Sequence, residues 1–128
     1  MENNKGTTEE NGLILQERTE LSLLFDFYSE LLDEHKKDIF GEYVMNDLSL
    51  AEISESEGIS RQGVHDIVKR TTKQLRDFES RLGLLKKYRE LQRCSEELAC
   101  VADGLEVFGN TEAAKRLRDI SGRIGEAL

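Results

Sequence analysis

The chain has 128 residues, 38% hydrophobic and 34% charged, with no proline or tryptophan and a formal net charge of −8. That length allows one compact domain with an appended arm, and the leucine-rich, proline-free composition favours an all-helical fold. No apolar run reaches the roughly 18 residues of a membrane span. The acidic balance also argues against general affinity for nucleic acid, which rests on neutralising phosphates.

Residues 1–16 open with MENNKGTTEENG, polar and glycine-containing, and read as a disordered tail. They hold no apolar secretory core, so a cytoplasmic location is expected. A first helix is expected from about Glu17 to Leu32, burying Leu21, Leu24, Phe25, Tyr28, Leu31 and Leu32 at helical spacing. Asp33 is suited to cap a second helix, with Glu34 in its first turn. That helix presents Ile39, Phe40, Tyr43 and Val44 and stops near Asn46 and Asp47.

Ser49 opens a third helix through the capping box SLAE, in which Ser49 accepts from the Glu52 amide and Glu52 reaches back. Leu50 and Ile53 face inward. Gly58 can take the left-handed conformation that ends a helix without a Cβ penalty. Ile59 plugs the gap behind the turn, and Ser60 caps a fourth helix whose buried side is Val64, Ile67, Val68, Thr71 and Leu75. Two short helices around a turn of a few residues satisfy helix-turn-helix geometry.

Charge is distributed unevenly. Residues 1–47 carry 4 basic and 12 acidic side chains. Residues 60–76 carry Arg61, Lys69, Arg70, Lys73 and Arg76 against Asp66 alone, giving +4. In a helix-turn-helix the start of the second helix enters the major groove. Arg61, Gln62 and His65 stand near that start: Arg61 suits guanine O6 and N7, and Gln62 suits adenine N6 and N7. Lys69, Arg70 and Lys73 follow one or two turns later and suit phosphates, which position without specifying sequence. A basic helix end also complements the macrodipole, so a merely solvated cationic face is the competing reading.

Beyond Phe78 the pattern changes. Leu84, Tyr88, Leu91, Ser95, Leu98, Ala102 and Leu105 make a heptad seam, widened by Cys94, Val101 and Phe108. After a break at FGN, Asn110 or Thr111 can cap a last helix with Leu117, Ile120 and Ile124, weakened by Gly122 and Gly125. The arm over 81–128 is either a hairpin within one chain or a dimerisation element, packed through Leu84, Tyr88, Leu91, Leu98 and Leu105. Cys94 and Cys100 lack metal or redox spacing and read as reduced, half-buried thiols.

Catalysis is not expected. His35 and His65 have no ligand-spaced partners for a metal, no cysteine has a histidine close in sequence, and no phosphate-binding glycine loop occurs. No cofactor is implied.

The stretch DLSLAEISESEGISRQGVHDIVKRTTKQL resembles the YlxM-type proteins, small bacterial helix-turn-helix proteins similar to region four of sigma factors. LFDFYSELL before it and KRTTKQLRDFESRLGL after it extend the resemblance over about residues 20–92. The resemblance implies an accessory or regulatory role in the signal recognition particle pathway, with components of that particle as partners. The sequence departs from the pattern at Ser54 and Gly63, where alanine is usual, and at Glu57, where an apolar residue is usual. Glu57 puts negative charge at the unfavourable end of a helix, and Gly63 is expected to loosen the first turn of the next.

The expectation is therefore an all-α, sigma-region-four-like bundle of four helices over 17–80, followed by a long helical arm. It touches DNA or RNA through the 60–76 helix. A dimeric transcriptional regulator and a protein-interaction module without nucleic-acid binding are the alternatives.

Overall fold

The computed structural model describes residues 17–128, and the expected tail over 1–16 lies outside them. The described residues form six α-helices and a short 3-10 turn, with no strand. They fall into two compact units that divide after Gly83.

The first unit begins with α1, residues 17–28, followed by the 3-10 turn Ser29–Leu31. The expected helix to Leu32 thus tightens one turn early. Leu31 leaves the buried stripe and stands 55% exposed, while Leu21, Leu24, Tyr28 and Leu32 are buried. Helix α2, Glu34–Val44, is capped by Asp33, whose carboxylate accepts from the Lys36 amide at 2.9 Å. It ends before Asp47, which takes a positive φ of 53°. Helix α3, Leu50–Glu57, is followed by Gly58, Ile59 and Ser60 and then by α4, Arg61–Leu82.

Two apolar groups hold the four helices together. Ile39 of α2, Ile53 of α3 and Val64 of α4 are fully buried, with Tyr43, Leu48, Leu50, Ile59, Ile67 and Val68 packed around them. Ile67 and Val68 are half-buried rather than buried, as is Leu50. Aromatic rings form the second group: Phe25 lies 5.7 Å from Phe40, and Tyr28 lies 5.8 Å from Phe78. The Tyr28 hydroxyl donates to Glu79 at 2.6 Å, so its polar end is satisfied while the ring is buried.

The second unit is a hairpin of α5, Leu84–Val107, and α6, Thr111–Ala127. Asn110 occupies the cap position of α6 without the side-chain bond expected there. Ser95 and Ser121 bond across the hairpin at 2.9 Å, and Arg118 of α6 pairs with Asp103, at 2.8 Å, and with Glu106. Those two carboxylates, Glu106 first, push the guanidinium further up from its ordinary value.

Of the expected seam, Ala102 is buried and Tyr88, Ser95, Leu98 and Leu105 are half-buried, but Leu84 and Leu91 are exposed. Phe108, expected to widen the seam, is 89% exposed. Cys94 and Cys100 are exposed rather than half-buried. The shift has one cause: α6 packs on the side of α5 that carries Ser95 and Ala102, which turns the side carrying Cys94, Val101 and Phe108 away.

Candidate nucleic-acid interface

The turn between α3 and α4 is fastened by four residues. Ser49 accepts from the Glu52 amide at 3.1 Å and fixes the start of α3. The reciprocal half of the expected box does not form: the Glu52 carboxylate makes no hydrogen bond to a described residue and stays exposed in the first turn. At the other end Gly58 is left-handed, with φ 69° and ψ 30°, and its amide returns to the Ser54 carbonyl at 3.0 Å.

The Ser54 hydroxyl donates to the Ile59 carbonyl at 2.5 Å. An alanine there could not make this bond, so the departure from the family pattern ties the turn. Ser60 then accepts from the Gly63 amide at 3.0 Å. A Cβ on Gly63 would meet the Ser60 hydroxyl at 3.2 Å, so glycine gives the cap room instead of simply loosening the first turn.

Helix α4 buries Val64, Thr71 and Leu75 on one side. Every charged or amide side chain expected to meet nucleic acid is exposed on the rest of its surface: Arg61, Gln62, His65, Lys69, Arg70 and Lys73. Arg61, His65, Lys69 and Lys73 follow at intervals of four and form one slowly winding ridge about 18 Å long. Arg70 lies about half a turn around the helix from Arg61 and belongs to the edge of this face.

None of Arg61, Lys69, Arg70 and Lys73 is ion-paired with a described residue. Arg76, the fifth cation of the island, is instead held by Glu17 of α1 at 3.0 Å. Asp66 is the only acid on α4 before Asp77, and it engages its neighbours. Its Oδ1 accepts from Gln62 Nε2 at 3.1 Å and lies 3.7 Å from His65 Nδ1, which becomes an ion pair only when the imidazole is protonated. Gln62 is thus pre-engaged by a partner four residues on, a spacing that was readable in the sequence.

The first turn of α4 carries no acidic residue, whereas those of α2 and α3 carry Glu34 and Glu52. The positive end of its dipole is therefore left uncompensated beside the cationic ridge.

A second feature had no signal in sequence spacing. Glu42 of α2 and Glu57 of α3 approach each other, and Glu42 Oε2 is shut from water without a hydrogen-bond donor. Burial first, then the Glu57 carboxylate and Asp38, push the Glu42 carboxyl above its ordinary value. The pair lines a shallow groove of about 490 Å³ with Phe25, Lys37, Asp38 and Asn46. Among the described residues no group of three or more His, Cys, Asp or Glu is placed to hold a metal ion, and no helix is long and apolar enough to cross a membrane.

A family model for YlxM / p13-like helix-turn-helix proteins, UPF0122, matches residues 15–109. The chain is 42% identical to a UPF0122 protein of Thermoanaerobacter sp. strain X514 over 92 residues, 72% of this chain and 76% of the relative. It is 40% identical to one of Clostridium novyi strain NT over 111 residues, 86% of this chain and 96% of the relative. A Symbiobacterium thermophilum member is 36% identical over 98 residues, 77% of this chain and 92% of the relative. No solved structure matches significantly.

Proposed function

The chain belongs to the UPF0122 family of YlxM / p13-like helix-turn-helix proteins, and from that premise we propose that it is a regulatory or accessory protein binding nucleic acid through α4. One observation carries the reading. In a chain of net charge −8, the cations Arg61, Lys69, Arg70 and Lys73 are all exposed on the side of α4 away from its buried stripe, unpaired with any described residue. Side chains needed only to balance the protein's own acids would be expected to be engaged by them, as Arg76 is.

In this reading α3 braces the backbone while the start of α4 reaches base edges. Arg61 is the specificity residue, and Gln62 reads adenine after exchanging its bond to Asp66 for one to the base. Lys69, Arg70 and Lys73 hold phosphates. No catalytic step and no cofactor is part of the proposal. Its proposed setting is the cytoplasm, and the resemblance to YlxM implies the signal recognition particle pathway; the particle's RNA is then the first ligand to test.

Gel retardation and fluorescence anisotropy with that RNA and with unrelated duplex DNA decide the matter. Replacing Lys69, Arg70 and Lys73 with alanine is expected to weaken binding across sequences and to reduce the salt slope by about one unit per lost phosphate contact. Arg61→Ala is expected to relax preference among sequences. Strong preference for one duplex would favour the transcriptional regulator. Absence of any complex at low salt would leave the interaction module.

A further inference from the structure

The α5–α6 hairpin leaves its own core unfinished. Within it only Leu85, Ala102 and Ala114 are fully buried, while Leu117, Ile120 and Ile124 of α6 are half-buried. Two helices form a single packed contact and cannot enclose an apolar interior by themselves. The open side of α5 carries Leu91 at 45% exposure and Val101 at 52%, with Cys94 between them also exposed. Two shallow grooves of about 340 and 370 Å³ run along this side and meet at Cys94.

These residues follow a strict rule. Leu84, Leu91, Leu98 and Leu105 recur every seven residues, and Lys87, Cys94, Val101 and Phe108 fall three after each. This is an a/d seam, with lysine its one charged member. Its charge is also ordered. Residues 84–93 carry Lys86, Lys87, Arg89 and Arg93 against Glu90, giving +3, and residues 94–107 carry Glu96, Glu97, Asp103 and Glu106, giving −4. Basic residues first and acidic residues last oppose the macrodipole of an isolated helix. A helix of the same sequence laid antiparallel sets Lys86 and Arg89 across from Glu106 and Asp103 of the second copy, the two carboxylates that Arg118 also engages within the chain, while Glu96 and Glu97 lie near the axis.

We infer that the open face of α5 is covered by α5 of a second copy of this chain, running antiparallel about a two-fold axis near Glu96. That register pairs all eight seam positions. Leu84 meets Phe108 of the second copy, Lys87 meets Leu105, Leu91 meets Val101, and Cys94 meets Leu98. The contact is isologous, as a closed dimer requires, and the two hairpins together bury the seam in four-helix fashion. This inference does not depend on nucleic-acid binding, and its test contains none.

The mass of the full chain is measured by sedimentation equilibrium over a range of protein concentrations. The expected mass is twice 14.6 kDa. Leu91→Glu and Val101→Glu, both at exposed positions, are each expected to raise the dimer dissociation constant at least about tenfold by placing a charge in the seam, with helical circular dichroism unchanged. Leu31→Glu, at an exposed leucine of the other unit, is expected to leave the dimer intact.

Orientation is read by disulfide trapping with Cys94 and Cys100 replaced by serine. Leu91→Cys together with Val101→Cys is expected to cross-link two chains, and neither change alone is, because each residue faces the other and not its own copy. A monomer at every concentration would overturn the inference and leave this face to a different protein. A dimer indifferent to Leu91→Glu and Val101→Glu would overturn it too, and cross-linking by either single cysteine would overturn the antiparallel order.

Discussion

At the residue scale, three positions separate backbone, hydroxyl and charge effects. Gly58 has a φ of 69°, and a Cβ there would meet nothing within 4 Å. Gly58→Ala therefore tests conformational strain alone, and a loss of about 1–2 kcal/mol in chemical denaturation is expected. Thr71 is fully buried, and its hydroxyl has no hydrogen-bond partner among the described residues. Thr71→Val keeps the shape and removes that unsatisfied group, so a gain of about 1 kcal/mol is expected by the same measurement. Glu42 supplies a pH dependence. Its folded carboxyl is raised above the ordinary 4.5, so its contribution favours folding below that pH and is lost as pH rises through the folded value. Glu57→Gln is expected to raise Tm at pH 7 by about 2–4 °C and to change it little at low pH, where Glu42 is protonated in both chains. Scanning calorimetry at the two pH values checks this.

At the element scale, the fold around the turn was legible because its signals are local. Asp33, Ser49 and Ser60 each bond an amide three residues on, and Gly58 ends α3 as its φ allows. Such interactions involve neighbours along the chain and leave a mark at fixed spacing. Other features were not legible. The Ser54 bond to Ile59 depends on the turn already being made, and Leu31 is exposed where the chain tightens into the 3-10 turn Ser29–Leu31. Helix α6 offers a direct test of local propensity. Gly122 and Gly125 are exposed within it, with open space around an added Cβ. Alanine at each is expected to stabilise the helix by up to about 1 kcal/mol, seen as a higher midpoint in denaturant.

At the scale of the whole molecule, the unequal spread of charge governs behaviour. The net charge of −8 opposes unspecific association with nucleic acid, so the proposed binding relies on the cationic side of α4. If Arg61, Lys69, Arg70 and Lys73 each neutralise a phosphate, raising salt from about 50 to 200 mM should lower affinity by about a hundredfold. A titration series at fixed temperature measures it. Because all four side chains are exposed, their alanine variants are expected to leave Tm within about 2 °C of the parent. A loss of binding could then be ascribed to the contacts themselves.

Helical class, the positions of the caps, the glycine turn and the cationic island were determined by the sequence alone, since each is a matter of neighbours along the chain or of composition. The tertiary structure decided which cations remain free, placing Glu17 on Arg76 and no described acid on Lys69 or Lys73. It also chose the side of α5 that α6 covers, a matter the heptad left open because apolar residues flank Leu91 and Leu98 on both sides. Which of two equally apolar stripes is buried depends on the direction from which another helix arrives, and distances between segments far apart in the chain are not written in local spacing.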